Sequence, residues 1–348
     1  MKNTFLVLST FCLFASSCCS DNSEKPINDT NPKLEIKIPS NFPELNSFIN
    51  QAYPTKYGVE LGKKLFNDPR LSQGNEISCA TCHIPSFAYA DNKPRAVGVE
   101  GRIGLRNTPP IQNMAFIYKY MWDGAVNNLK EQPITPIITH EEMSSTIFEV
   151  IDKIKDDKDY KTAFKKAFGD ETIDRERILN SLAQFMYTLI SSDSKYDKVM
   201  RNEGVAFTET EKKGYETFQN KCASCHSGAL QTDETFRNIG FPLHPDTVEE
   251  AGRARVTGKD EDFMAFRVPT LRNIEYTAPY GSFGQFKTLR EVLDYFDNGV
   301  LNEKNLDPEM RKYTATTGKV GIPLSEEEKT NLIAFLKTLS DTKFTLRE

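Results

Sequence analysis

Cys79-Ala80-Thr81-Cys82-His83 and Cys222-Ala223-Ser224-Cys225-His226 are two copies of one pattern, C-x-x-C-H, in a chain with only four histidines and seven cysteines. In this pattern two thiols form thioether bonds to the vinyl groups of a c-type haem. The adjacent imidazole binds the iron, so the spacing follows from where those atoms sit. A redox CxxC or a zinc site does not require a histidine directly after each pair, yet two of the four histidines stand there. The pair predicts two covalently bound haems c, one held by Cys79, Cys82 and His83 and the other by Cys222, Cys225 and His226.

The other cysteines, Cys12, Cys18 and Cys19, fall near the N-terminus, where Lys2 precedes an apolar run from Phe5 to Phe14 and small residues follow, as in a secretory signal. Ala15-Ser16-Ser17-Cys18 looks like a loose lipobox, with Cys18 or Cys19 as the residue to be acylated. The expectation is a lipoprotein signal peptide over 1–19, a polar tether over 20–45, and a periplasmic location with membrane contact only through a lipid anchor. The run is too short to span a bilayer as a mature helix. With these cysteines removed or acylated, an oxidising compartment poses no disulfide problem. At 38% hydrophobic and 27% charged residues, with a formal charge of −5, the 348-residue chain reads as globular, with no nucleic-acid partner. Its mild acidity suits a small basic electron carrier.

A gapless self-similarity at an offset of 160 residues organises the rest. Asn113, Tyr120, Gly124, Leu129 and Glu131 return as Asn273, Tyr280, Gly284, Leu289 and Glu291, and Pro109 as Pro269. Upstream of each motif, Gly62 and Phe66 are echoed by Gly214 and Phe218. Two copies of one haem-binding unit explain both echoes. Apolar positions at helical spacing mark amphipathic helices over 148–168 and 173–190. Thr208-x-x-Glu211, Thr288-x-x-Glu291 and Ser325-x-x-Glu328 read as capping boxes. Nothing alternates like a long strand. The predicted fold is all-α, with two cytochrome c-like haem domains over 46–203 and 204–345, and with 92–110 and 232–269 as long ordered loops around the haems.

An iron with only its proximal histidine fixed carries electrons or activates peroxide, according to what fills its sixth position. His140 and His244 are the remaining imidazoles, so bis-histidine ligation of both haems is allowed by count. The motifs decide further. Over roughly residues 50 to 340 the chain resembles the bacterial di-haem cytochrome c peroxidases and their MauG-like relatives. In the first half the resemblance rests on Arg106-Asn107-Thr108-Pro109, Trp122-Asp123-Gly124, Leu129-Lys130-Glu131-Gln132, Pro136-Ile137 and Glu142-Met143. In the second it rests on the stretch from Val268 to Asn273, on Thr277-Ala278-Pro279-Tyr280 and on Thr288-Leu289.

The resemblance implies a peroxidatic N-terminal haem, with Glu142 as acid/base and Gln132 positioning peroxide or water. It implies that a small periplasmic donor, a cytochrome c or a cupredoxin, feeds electrons into the C-terminal haem. Trp122, the single tryptophan, would lie between the haems. A calcium ion at the junction would be bound by Asn107, Thr277 and Pro279, oxygen donors that suit this hard cation. Hydrogen peroxide, reduced to water, is the implied substrate, and a homodimer is an admissible assembly. The alternatives are a MauG-like oxidase that modifies a protein substrate and a non-catalytic di-haem electron-transfer cytochrome.

Two departures from the family pattern stand out. No histidine lies in 84–106, where family members that rest inactive keep a removable sixth ligand; Val99-Glu100-Gly101 occupies the region. The first haem is therefore expected to be open at rest unless His140 substitutes. Phe296 stands where the family places a methionine or tyrosine on the second iron, and phenylalanine cannot ligate. Tyr295, Met264 and Met310 remain. Tyr295 is nearest, although one residue along a helix turns the side chain by about 100°. Ser282 replaces the histidine of the family's Y-x-H-D-G stretch, which removes any switch built on that imidazole.

Overall fold

Along the chain, α1 (Lys56–Phe66) leads to the one-turn α2 (Cys79–Cys82), and α3 (Ile134–Ile138), α4 (Ile147–Ile154), α5 (Lys158–Phe168) and α6 (Arg175–Tyr187) follow. Next come α7 (Lys195–Met200), α8 (Glu209–Lys221), α9 (Ala254–Thr257), α10 (Leu289–Asn298) and α11 (Pro308–Arg311). The last are α12 (Thr314–Thr317), α13 (Glu326–Lys337) and α14 (Thr342–Thr345). This computed structural model describes residues 31–242, 246 and 250–346. The expected signal peptide, with Cys18 and Cys19, and His244 lie outside the described residues. The one sheet among the described residues is a two-residue antiparallel pair, Phe236–Arg237 against Phe266–Arg267. The architecture is all-α, as the sequence implied.

Glycine sets the same helix crossing twice. A Cβ on Gly62 of α1 would fall 2.0 Å from the Ser181 carbonyl oxygen of α6, and one on Gly214 of α8 would fall 2.0 Å from the Asn331 carbonyl oxygen of α13. Only a residue without Cβ lets two backbones approach this closely. One turn further along, Phe66 packs on Phe185 with ring centroids 5.1 Å apart, and Phe218 packs on Phe335 at 5.0 Å. The repeat at offset 160 is equally physical. Asn113 and Asn273 both adopt left-handed backbone, with φ of 58° and 57°. Tyr120 bridges Val126 as Tyr280 bridges Phe286. Asparagine visits this conformation more readily than most residues, and here its amide is also held across the fold. That of Asn113 donates to the Ser191 carbonyl and accepts from the Ser191 N–H.

Two of the three expected capping boxes are complete. Thr208 with Glu211 and Ser325 with Glu328 form reciprocal capping boxes. Thr288 accepts from the Glu291 N–H, but the Glu291 carboxylate turns to the Lys287 N–H, so that box is half made. The stripe over 148–168 is two helices. α4 stops at Ile154, and Asp157 starts α5 by accepting from the Asp159 and Tyr160 N–H groups.

The two cores interleave in sequence. The first gathers Ile49 through Leu189 together with Leu230 and Phe344, and the second gathers Tyr196 through Leu339. Phe344 of α14 packs on Tyr89 at 5.4 Å, so the end of the chain closes the first unit. At the other end, the stretch read as a tether is docked from Asn31 onward. Asn31 donates to Thr55 Oγ1 and the Ala167 carbonyl and accepts from the Tyr57 N–H, while Phe42 rests edge-on against Phe116. Between the cores, Arg272 is ion-paired with Asp197, both side chains fully buried. Such a pair persists inside a protein only because each charge answers the other.

Candidate active site

α2 is a single turn, closed by reciprocal bonds between Ser78 and Thr81, that places Cys79 and Cys82 three residues apart on one face. The imidazole that follows is oriented by the main chain. His83 Nδ1 lies 2.7 Å from the Tyr89 carbonyl, and His226 Nδ1 lies 3.1 Å from the Gln231 carbonyl. Tyr89 and Gln231 both have positive φ, 59° and 54°, at the turns that supply these carbonyls. A carbonyl only accepts, so each Nδ1 carries the proton and each Nε2 keeps its lone pair for a metal. Burial holds both imidazoles below their ordinary pKa, in the neutral, ligating form. Burial also pushes the Cys79 and Cys222 thiols up to about 12. That is the opposite of an activated redox CxxC. No disulfide joins the four cysteines, and no three His, Cys, Asp or Glu side chains converge as a metal cage among the described residues. The motif residues thus fit haem attachment in both units.

The second site is a cavity of about 220 Å³, lined by Cys222 and His226 on one side and by the apolar face of α10 on another. Leu289, Val292, Leu293 and Phe296 form that face at helical spacing. Phe296 faces the cavity and Tyr295 does not line it. The expectation for Tyr295 is corrected on this point: its hydroxyl donates to the Ile239 carbonyl at 2.9 Å, and its ring packs against Phe241 and Phe286. The reason is the turn of roughly 100° between neighbouring helix positions. Met264 is buried in a separate cluster with Phe266, Phe283 and Trp122, whereas Met310 lines the cavity.

Trp122, Asn107, Thr277 and Pro279 meet on the wall of this cavity. Trp122 thus reaches the second site from the first unit. Its Nε1–H donates to the Asn107 carbonyl at 2.9 Å, and its own carbonyl accepts from the Arg267 N–H. The Asn107 amide nitrogen donates to the Lys93 carbonyl, which leaves the oxygen end of the amide for a cation.

At the first site α3 is short, and the chain doubles back over 139–146 through bonds such as Met143 N–H to Pro136 and Ser145 N–H to Ile137. That fold-back carries Glu142. Burial, then the neighbouring Glu141 charge, raises the Glu142 carboxyl above its ordinary pKa. After burial and Asp91, the Glu142 charge also helps push the Cys82 thiol up to about 11, so the carboxyl lies within electrostatic range of the first attachment motif. Gln132 lies half-buried with its amide nitrogen 3.5 Å from Met121 Sδ, next to Trp122. The 97–103 loop forms a tight hairpin over the fold-back. The Val99 N–H donates to the Glu142 carbonyl, and a Cβ on Gly98 would strike the Glu141 carbonyl oxygen at 2.2 Å. His140 is exposed, held by Arg102 and Ser144.

Residues 56–204 match the family model for di-haem cytochrome c peroxidase, and residues 211–340 match that for cytochrome c. The methylamine utilization protein MauG of Methylorubrum extorquens is 34% identical over 336 residues, covering 95% of this chain and 90% of that protein. Cytochrome c551 peroxidase of Nitrosomonas europaea is 34% identical over 285 residues, covering 81% and 79%. The chain belongs to the di-haem cytochrome c peroxidase and MauG family. Among solved structures, a MauG-like protein associated with microbial copper homeostasis superposes with a TM-score of 0.78 at 27% identity, covering 90% of this chain and 97% of that one. The di-haem peroxidase BthA of Burkholderia thailandensis shares the fold, with a TM-score of 0.74 at 22% identity over 84% and 88%.

In this di-haem chain the units are latched at Trp122 by charges that the sequence reading left unassigned. Arg106 donates from Nε and Nη2 to the two carboxylate oxygens of Glu250, and from Nη1 to Asp123 at 2.7 Å. The Glu250 side chain is fully buried. Arg253 adds a bond to the Asp123 carbonyl and stacks on Phe236. Arg106 and Asp123 stand in the quoted family motifs, so a buried partner of opposite charge was the signal to seek; Glu250, flanked by loop residues, gives none of its own.

Proposed function

We propose that this protein is a peroxidase that reduces hydrogen peroxide to water with electrons from a small periplasmic donor, a cytochrome c or cupredoxin. The observation that carries the reading is Glu142: a carboxyl raised above its ordinary pKa by burial and held within electrostatic range of the first attachment motif. When bound, the first haem would supply the iron at which peroxide is reduced, and the second would store and relay electrons. The protein supplies the rest. His83 and His226 would hold the irons through Nε2, because their Nδ1–H groups are committed to main-chain carbonyls. Glu142 accepts a proton from one oxygen of the peroxide and returns it to the other, a task suited to a carboxyl that burial holds above its ordinary pKa. Gln132 orients peroxide or water by its amide. Trp122 provides an aromatic contact between the units, and Asn107, Thr277 and Pro279 would bind one calcium ion that stiffens the junction.

The chain is read as periplasmic and lipid-anchored; no helix among the described residues is long and apolar enough to cross a membrane. Identity of 34% to a MauG protein supports a second reading, oxidation of a protein substrate by the same site. Steady-state reduction of peroxide with a reduced cytochrome c separates the readings: the peroxidase turns over without any added protein substrate. Glu142→Gln should lower kcat/KM for peroxide by roughly 10²–10⁴-fold, the usual worth of a positioned acid/base. An unchanged rate removes Glu142 from the chemistry.

A further inference from the structure

The face of α10 toward the second cavity is hydrocarbon throughout, from Leu289 to Phe296, so the helix offers the iron no donor. The same cavity nevertheless contains one sulfur besides those of Cys222 and Cys225. Met310 is 3% exposed and lines it. The turn that carries Met310 is fixed from several sides. Asp307 caps α11 and pairs with Arg237, another lining residue. The Met310 carbonyl accepts from the Gly321 N–H, and the neighbouring Ile322 N–H bonds to the Phe296 carbonyl, tying this turn to the end of α10. Glu309 accepts from the Ser224 hydroxyl at 3.0 Å, and Ser224 lies inside the attachment motif itself. The turn is therefore anchored both to the haem-bearing segment and to the α10 wall.

The other candidate donors are spent or elsewhere. The Tyr280 and Tyr295 hydroxyls are given to the Ile274 and Ile239 carbonyls, and Met264 sits in the Trp122 cluster. Lys221 lines the cavity, but its ammonium is held by Glu328 and the Pro323 carbonyl. A thioether is a soft, neutral ligand that completes low-spin haem in electron-carrying sites and raises the potential of the iron.

We propose that Met310 is the axial sulfur ligand of the second haem, taking from α11 the role that Phe296 denies to α10. The proposal rests on the two-haem reading and not on peroxide chemistry. Because the sulfur arrives from a separate, tethered turn, the second iron can be six-coordinate while the cavity face of α10 stays purely apolar.

The test is optical and EPR spectroscopy of the oxidised, two-haem protein. A thioether bond to ferric haem gives a weak near-infrared band. That band is expected in the parent, retained in Met264→Leu and lost in Met310→Leu, where one haem turns high-spin and its reduction potential falls. Met310→His should restore a low-spin haem with bis-imidazole EPR in place of the thioether band. A parent without the band, or a Met310→Leu protein that keeps it, overturns the proposal. If such a protein still reduces peroxide, the ligand assignment fails while the proposed function stands.

Discussion

Gly214→Ala tests whether the repeated helix crossing sets the second haem site. The added Cβ would lie 2.0 Å from the Asn331 carbonyl oxygen, 2.6 Å from its carbon and 2.8 Å from Phe335 Cβ. Ordinary contact begins at 3.4 Å, so α8 and α13 must part by about 1.4 Å, a large fraction of the slack in helix axes packed 8–10 Å apart. The obstacle is backbone, so no rotamer change relieves it. Overpacking of this kind costs about 1–3 kcal/mol, and alanine returns about 1 kcal/mol through helix propensity. A net loss of up to about 2 kcal/mol lowers Tm by up to roughly 8 °C at the usual 2–4 °C per kcal/mol for a unit of this size. The same separation loosens the Phe218–Phe335 contact and moves Phe218, Leu332 and Leu336, all lining residues of the second cavity. Calorimetry of the haem-loaded protein should show the fall, and the absorption of the second haem should change while that of the first does not. Gly62→Ala should mirror this at the first site. An unchanged or higher Tm with an unaltered spectrum would refute the reasoning, since the helices could not then be in contact at the glycine.

Glu142→Gln should stabilise the protein at neutral pH even as it slows turnover. Burial raises the folded-state pKa of this carboxyl, so its contribution is fully present below the unfolded pKa and is lost as pH rises through the raised value. Urea unfolding should accordingly show a larger gain for the variant near pH 7 than near pH 4; equal gains would contradict the burial. Glu250→Ala leaves Arg106 with Asp123 alone, and breaking a buried pair of this kind costs about 3 kcal/mol. Thermal unfolding will register that loss, and a shift within error would mean the latch carries no load. Trp122→Phe keeps an aromatic ring but deletes the bond to the Asn107 carbonyl. Stopped-flow measurement of electron transfer between the haems should slow, whereas an unchanged rate would exclude the indole from the path.

The repeat was visible in the sequence because its conserved spacing reflects backbone requirements: left-handed turns at Asn113 and Asn273, and close approach at Gly62 and Gly214. The haem residues were equally plain, since covalent attachment fixes their spacing. Long-range charge pairing was not. Arg272, Asp197 and Glu250 look like surface residues in one dimension, and only the fold shows that each is buried against an opposite charge. The break between α4 and α5 was hidden because the apolar stripe continues across it, and Asp157 is an ordinary capping residue among several acids. Tyr295 stands one helical step from Phe296, the smallest offset that changes which wall a side chain faces.

The docking of α14 has a consequence for biogenesis. Phe344 presses on Tyr89, whose carbonyl orients the His83 ring. A polypeptide that emerges N-terminus first therefore leaves the earlier metal-binding turn unsupported until Phe344 appears. Assembly of the leading module is coupled to completion of the trailing one, so a product truncated before Thr342 would carry an intact first attachment motif on a loosened scaffold.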